Sequence, residues 1–474
     1  MSDKGKYEKL AKDICIFIVG MVLTKAIQFI LMPLYTTYMS TEAYGTAELI
    51  NSLSELLYPV VTLCVYEAAF RFAVDTNYDN INLATSVTKL LIVSFVIGGC
   101  IAIAGKLLFG YENSLYLFAV LYAYAIRTCA AFFVRGCGYS KVFAFSGVIN
   151  AIALAVFNIF FLIFLKKNVE GYLISIALAY CISTLYLVLA GGIYKKIKLN
   201  GHRMSSICFL LKYSAPLIPY NILYWVTTIS GRYILQYYTD VATVGLYVAA
   251  IKIATVINMI QNAVYSAFQL NSSRQYESKQ KEEYYNNVNN GLTAVYFIFG
   301  SLTICLTPIL AKLTLKNEFI NAGQYLPIIM FSAIINCISS LVGTMYTTYK
   351  ATKKMVPISV LGAGVNVITG CIFTPMVGIW GICLASALSY FAQVLYKMMD
   401  TQKSFKLKYN WRVFMIDVVL LTFQIIVASQ NNHILTMSTM VVTMIIIGIN
   451  CWFYRDVIQL VLERIKLVKR NKER

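Results

Sequence analysis

Apolar stretches of membrane-spanning length recur from one end of this 474-residue chain to the other. Crossing the hydrocarbon core takes roughly 20 mostly apolar residues per helix. By that length and the charged breaks we count about fourteen such stretches. They are 12–38, 44–73, 82–109, 113–135, 141–165, 169–194, 209–238, 241–270, 289–315, 322–348, 355–375, 377–399, 411–429 and 432–454. In lipid the backbone must satisfy its own hydrogen bonds, and stretches of this length do so as helices. An all-α, polytopic membrane protein follows. The longest connections, 195–208, 271–288 and 400–410, are too short to hold a catalytic domain.

Charge is sparse: 13% of residues, with 59% hydrophobic, where a soluble protein carries about 25% charged. The net charge of +19 would suit nucleic acid or anionic lipid. Position decides against nucleic acid, because long basic runs are absent and the cations sit mostly at the ends of apolar stretches. With the N-terminus placed in the cytoplasm, inner connections and tails hold about six cations for each one outside, an outward set limited to Lys106, Lys166, Lys167, Lys312 and Lys316. Both termini are therefore predicted inside, with an even number of spans. The basic start (Lys4, Lys6, Lys9, Lys12) precedes an apolar run, 13–38, too long for a signal peptide's core and without a small-residue cleavage site, so it reads as a retained first span. The twelve cysteines show no CxxC or metal-ligand spacing. His202 and His433 have no evident metal partner, and neither a metal nor a cofactor is expected.

The sequence repeats internally. Gly171 to Tyr186 and Gly381 to Tyr396 match at one constant offset through Gly171/Gly381, Ala177/Ala387, Leu178/Leu388, Tyr180/Tyr390, Leu185/Leu395 and Tyr186/Tyr396. A weaker echo pairs Tyr38 and Gly45 with Tyr238 and Gly245. Six spans per half is an even number, so the halves keep one orientation, as in transporters built from parallel repeats. The expected organisation is an N-lobe (1–195), a cytoplasmic linker (196–208), a C-lobe (209–399), an appended pair (400–456) and a basic tail (457–474). The two six-helix lobes would flank a central cavity.

Polar groups retained in the apolar stretches are costly and therefore informative. Lys25, Lys89, Arg127, Arg232 and Lys252 fall within them, and Arg71 near the inner end of the second. A cation at the bilayer centre costs about 2.5–3.5 kcal/mol on insertion scales and usually faces a bundle interior or wet cavity. Lys89 is close enough to an end to snorkel. Lys25, Arg71, Arg232 and Lys252 come from the leading pairs of the two halves, so a cavity between halves would gather positive charge, with Arg127 a further candidate. Such a site suits a phosphate or pyrophosphate headgroup; the competing reading is a set of structural ion pairs. Stretch 44–73 also carries Glu48, Glu55 and Glu67. Glu48 and Glu55 share a face, and Glu67 is spaced to pair with Arg71. Glu55 first, then Glu67, are candidates for coupling to H+ or Na+, a partnership with Lys25 or Arg127 being the structural alternative. Pro33, Pro59, Pro216 and Pro219 interrupt helical hydrogen bonding and are candidate hinges. Of the 35 tyrosines, many suit interfacial belts, and some could stack on sugar rings.

Six segments, in order, resemble bacterial polysaccharide (oligosaccharide-lipid) flippases of the multidrug/oligosaccharidyl-lipid/polysaccharide exporter superfamily. They are Pro33-Leu-Tyr-Thr-Thr-Tyr-Met-Ser-Thr-Glu-Ala-Tyr-Gly45; Arg135-Gly-Cys-Gly-Tyr-Ser-Lys141; Lys212-Tyr-Ser-Ala-Pro-Leu-Ile-Pro219, with Arg232-Tyr-Ile234 beyond it; Val244-Gly-Leu-Tyr247; Ala322-Gly-Gln-Tyr-Leu-Pro327; and Gly362-Ala-Gly-Val-Asn366. The resemblance implies twelve or fourteen helices in two lobes around a cavity. It also implies passage of undecaprenyl-pyrophosphate-linked sugars from the inner to the outer leaflet; the expected setting is the bacterial cytoplasmic membrane, the expected use O-antigen, capsule or exopolysaccharide, and a polysaccharide polymerase or glycosyltransferases are candidate partners. Family members often place an acid just before the arginine that here is Arg232. This chain has Gly231, which puts an ion pair there in doubt and leaves Arg232 freer to meet substrate.

The sequence thus points to a flippase working by alternating access, with no covalent chemistry. A peptidoglycan-precursor flippase is the near alternative. A cation-coupled multidrug antiporter would favour an acidic cavity, and a polymerase or glycosyltransferase would need a larger external loop or catalytic domain.

Overall fold

The computed structural model describes residues 20, 23–74, 79–198, 204–255, 257, 261, 281–349, 351–430 and 433–455. Over these residues the protein is helical without strands, and each apolar stretch is helical, apart from short breaks, wherever it is described. Among the described residues nine helices are long and apolar enough to cross a bilayer, ten if one bent pair counts as a single span. This is an all-α, polytopic membrane protein.

Numbered in chain order, the helices are α1 (Met32–Tyr38), α2 (Thr41–Val61), α3 (Val65–Ala73), α4 (Asn80–Phe109), α5 (Ser114–Gly136), α6 (Ser140–Asn158), α7 (Val169–Ala190), α8 (Met204–Ser214) and α9 (Ile218–Tyr238). Then come α10 (Val241–Thr255), α11 (Lys281–Cys305), α12 (Thr307–Thr314), α13 (Leu326–Thr348), α14 (Met355–Val377), α15 (Ile379–Phe405), α16 (Trp411–Ala428) and α17 (His433–Phe453). Helix α4 is the least buried of these candidate spans.

Several stretches that read as one helix are broken, and proline accounts for most of the breaks. Stretch 44–73 divides into α2 and α3, bent by 61°. Pro59 supplies no N–H to the last turn of α2. Leu63 and Cys64 then turn left-handed (φ 49 and 53), a conformation that costs an L-residue about 1–2 kcal/mol. The Cys64 N–H closes the turn onto the Pro59 carbonyl at 2.9 Å. Stretch 209–238 divides at a 3-10 turn, Ala215–Leu217, that contains Pro216; Pro219 is the second residue of α9. Pro33 opens α1 after a turn at Leu31. Pro308 opens α12 after a break at Leu306.

The chain forms two compact units. One comprises Met1–Gln236 with Asp240–Val248, the other Tyr237–Thr239 with Ala249–Arg474. Helix α8, α9 as far as Gln236 and the start of α10 therefore belong with α1–α7.

In the first unit α3, α4, α5 and α7 pack around a core that includes Val65, Ala69, Ala84, Cys129, Val134 and Leu187. Its small side chains allow the close helix approach that drives packing in lipid. Gly45 of α2 and Gly245 of α10 cross backbone to backbone: a Cβ on Gly45 would run into the Val241 carbonyl, and one on Gly245 into the Thr41 carbonyl.

In the second unit α15 packs between α13 and α14, and α11 packs against α13, α16 and α17. A buried amide fastens three helices. Gln424 Nε2 donates to the Ser301 carbonyl (3.1 Å) and the Thr443 hydroxyl (3.0 Å), while the Ser301 hydroxyl donates to Gln424 Oε1 (2.8 Å).

Candidate functional site

Two side-chain clusters, both inside the first unit, carry most of the polar chemistry that the sequence strands in apolar surroundings. The first is built on Glu48. Helix α2 starts cleanly because Ser40 accepts the Ala43 N–H at 3.2 Å, a side-chain N-cap. Two turns on, Glu48 is fully buried. Tyr172 of α7 donates to its Oε1 at 2.5 Å, and Arg232 of α9 pairs with its Oε2 at 3.4 Å. Arg232 also donates to the Ser52 hydroxyl. The rings of Tyr35, Tyr44 and Tyr172 pack around this carboxylate, with centroids 5.1–5.9 Å apart. Asn158 donates to the Tyr35 hydroxyl at 3.1 Å.

Helix α9 is fastened to α2 along one face. Trp225 donates to the Ser52 carbonyl (3.0 Å) and Tyr233 to the Leu49 carbonyl (2.8 Å). A buried carboxylate is tolerated only when paired and hydrogen-bonded, and here tyrosine and arginine meet both oxygens. Arg232, which Gly231 left without a neighbouring acid, finds its partner on another helix; the freedom expected of it is corrected by this contact.

The second cluster is a run of rings ending in a cation. Tyr66 of α3 lies 5.4 Å from Tyr58 of α2, Tyr58 lies 4.8 Å from Tyr124 of α5, and Tyr124 lies 5.2 Å from Tyr180 of α7, centroid to centroid. The Arg127 guanidinium sits 5.7 Å from the centre of the Tyr180 ring. Its Nε donates to the Ser183 hydroxyl at 3.0 Å, and that hydroxyl donates on to the Ser146 carbonyl at 2.8 Å. Among the described residues no carboxylate lies within ion-pairing distance of Arg127. At the other end Tyr66 donates to Asn221 Oδ1 (3.2 Å), and Asn221 donates to Leu217 in the turn before α9 (3.0 Å). Glu55 accepts from Asn51 at 3.4 Å and lies within electrostatic reach of Tyr124 and Tyr180. Aromatic faces with a guanidinium held by neutral partners can stack on sugar rings and bind a phosphorylated group. Among the described residues no three His, Cys, Asp or Glu side chains are grouped to hold a metal.

The remaining candidates are placed as follows. Lys25 is half-buried and donates to Gln28 at 3.2 Å. Arg71 is exposed in the last turn of α3. It does not pair with Glu67 as the spacing suggested: no ion pair joins them, and the charge that reaches Glu67 is that of Arg135 on α5. Lys252 lies on α10 in the part belonging to the second unit. Sequence reasoning noticed Glu48 but ranked it below Glu55, and it left Tyr58, Tyr124 and Tyr180 unselected among many tyrosines. It also passed over Lys397, which is buried on α15 and donates to the Ser339 carbonyl (3.0 Å) and hydroxyl (2.7 Å). In the sequence Lys397 stands at the end of its apolar stretch and reads as an interfacial residue, and the signal that it is not comes only from the packing.

Long apolar helices around a buried ion pair and a ring-and-arginine track are consistent with a membrane transporter. The chain belongs to the polysaccharide biosynthesis protein family, whose model matches residues 10–269; a MatE model matches residues 216–372. It is thus a member of the exporter superfamily that its sequence resembles, whose families are transporters rather than enzymes. Its fold is similar to that of the lipid II flippase MurJ in an inward closed conformation, with TM-score 0.67 at 12% identity, over 94% of this chain and 100% of that one. An inward-facing multidrug resistance MATE family transporter of the MOP superfamily matches with TM-score 0.60 at 12% identity, over 81% and 95%. A MOP superfamily transporter from Pyrococcus furiosus, described as having a binding pocket of reverse polarity, matches with TM-score 0.54 at 15% identity, over 83% and 96%. No functionally curated protein matches in sequence.

Proposed function

We propose that the protein moves an undecaprenyl-pyrophosphate-linked oligosaccharide from the inner to the outer leaflet of a bacterial cytoplasmic membrane, for assembly of a surface polysaccharide such as O-antigen, capsule or exopolysaccharide. The observation that carries this reading is Arg127: a guanidinium inside a membrane protein of the polysaccharide biosynthesis family, held by a serine and a tyrosine ring instead of a carboxylate, at the end of a row of aromatic faces. The pyrophosphate is held by cations of the first unit, with Arg127 first and Lys25 and Arg71 as further candidates, while the polyprenyl tail stays in lipid. Alternating access moves the headgroup, flexing at the breaks marked by Pro33, Pro59, Pro216 and Pro219. Glu55 and then Glu67 are the candidates for coupling to H+ or Na+. Both termini lie in the cytoplasm, and a polymerase receives the flipped unit that glycosyltransferases have built.

Likeness over nearly the whole chain to a lipid II flippase favours a second reading, transport of the peptidoglycan precursor. Reconstituted vesicles decide between them. Labelled undecaprenyl-pyrophosphate oligosaccharide and labelled lipid II are each placed in one leaflet, and their appearance in the other is followed. The first reading expects the oligosaccharide to move at least tenfold faster than lipid II, and Arg127→Ala to abolish the difference. Equal or faster movement of lipid II overturns it.

A further inference from the structure

The second unit contains a carboxylate that none of the chemistry above uses. Asp417 lies on α16, is 1% exposed, and is the one acid between Trp411 and Phe453. Its partner is neutral: Asn450 of α17 donates from Nδ2 to both carboxylate oxygens, at 3.0 Å each, and to the Ile446 carbonyl at 2.9 Å. Among the described residues no Lys, Arg or His pairs with Asp417. Beside it is a cavity of about 10 Å³, on the order of one water molecule.

The walls of that cavity carry no second charge. Helix α11 contributes Asn290, Thr293, Ala294 and Phe297, α15 contributes Met398, and the 406–410 connection contributes Tyr409 and Asn410. Helix α17 adds Asn450, and Tyr454 follows directly after it. Helix α13, which also packs against α16, contributes no lining residue. Among the described residues the titratable groups facing Asp417 are thus the hydroxyls of Tyr409 and Tyr454, and the Tyr409 hydroxyl shares a hydrogen bond with that of Thr401 (2.9 Å). An ionised carboxylate buried without a cation is strongly disfavoured. The other half of the amide repeats the message: Asn450 Oδ1 is buried and has no hydrogen-bond partner. One proton answers both. A neutral acid can donate its O–H to the amide oxygen while its carbonyl accepts from the amide nitrogen, which closes a paired ring and leaves no atom of either group orphaned.

We propose that Asp417 is a proton-binding site. Its carboxylate takes one proton from the aqueous side that carries the 406–410 connection, through the Tyr409–Asn410 wall. It changes from charge −1 to neutral and locks onto the Asn450 amide; release of that proton returns the charge and loosens α16 from α17. The inference stands apart from the identity of the transported lipid.

The test uses the full-length protein in lipid nanodiscs. Infrared difference spectra between alkaline and acidic buffer are expected to show a protonated-carboxyl C=O band that is lost in Asp417→Asn. In Asn450→Leu the band moves to higher frequency, because the acid has lost its amide. The thermal midpoint of the parent is expected to rise on acidification by more than that of Asp417→Asn, since protonation removes the buried charge only in the folded state. An unchanged carboxyl band in Asp417→Asn, or equal pH response of the two midpoints, overturns the proposal. So does a midpoint raised by sodium at fixed pH in the parent but not in Asp417→Asn, which would make the occupant a metal cation. Asn450→Leu keeps the spectral test decisive if Asp417→Asn does not fold.

Discussion

At the residue scale, the contrast between Arg232 and Arg127 is the informative one. Both are arginines in apolar helices of the first unit, yet one faces a carboxylate and the other a serine hydroxyl and a ring. Removing one member of a buried pair leaves an uncompensated charge, at about 3–5 kcal/mol. Glu48→Ala and Arg232→Ala should therefore each lower the thermal midpoint strongly, whereas Glu48→Gln/Arg232→Met together should recover most of the loss. A double variant as unstable as the sum of the singles would show that the pair is not one unit. Arg127 has no acid to orphan. Arg127→Lys should fold with a midpoint close to the parent's yet lose transport at least tenfold, because a lysine ammonium does not reproduce the planar, stacked guanidinium. Normal transport by a well-folded Arg127→Lys would leave Arg127 a packing residue. The sequence shows that both arginines are costly where they stand, but not which has a partner. The Glu48–Arg232 contact joins residues far apart in the chain, and no local spacing encodes it.

At the element scale, helix existence was legible and helix continuity was not. Hydropathy over windows of about 20 residues averages across a break such as Leu63–Cys64, where the flanking residues stay apolar. The prolines were the available signal: Pro59, Pro216 and Pro308 each sit within a few residues of a break. The weak echo of Gly45 by Gly245, slight as sequence, falls on two residues that cross each other. Gly45→Ala would press a methyl into the Val241 carbonyl, and backbone cannot yield as a side-chain tip can. Overpacking of this kind costs about 1–3 kcal/mol. Gly45→Ala should depress the thermal midpoint, whereas Gly364→Ala, where nothing lies within 4 Å of the added carbon, should not. Comparable losses at both positions would remove the special standing of the crossing.

At the scale of the whole molecule, orientation rests on one statistical regularity. Lysine and arginine are retained on the cytoplasmic side of short loops because they resist transfer, and the alternation that produced the bias requires every stretch to be a single span. The broken helices put that premise at risk. A stretch such as 44–73, bent by 61°, would reverse every later loop if its two arms entered and left by the same face. The charge pattern argues against reversal, because Lys106, Lys166, Lys167, Lys312 and Lys316 all follow the break, and reversing the later loops would put this sparse set on the side of the basic N-terminal segment and the denser connections opposite it. Single cysteines placed at Lys166 and Lys316 in a cysteine-free background should react in intact cells with a reagent that does not cross membranes. Those at Lys195 and Lys353 should react only after the cells are opened. Lys166 and Lys195 both follow the 44–73 break, so if that stretch is re-entrant they exchange behaviour. Labelling at Lys195 in intact cells would therefore show that the chain turns back at Leu63–Cys64, and the inward placement of the C-terminus would fall with it.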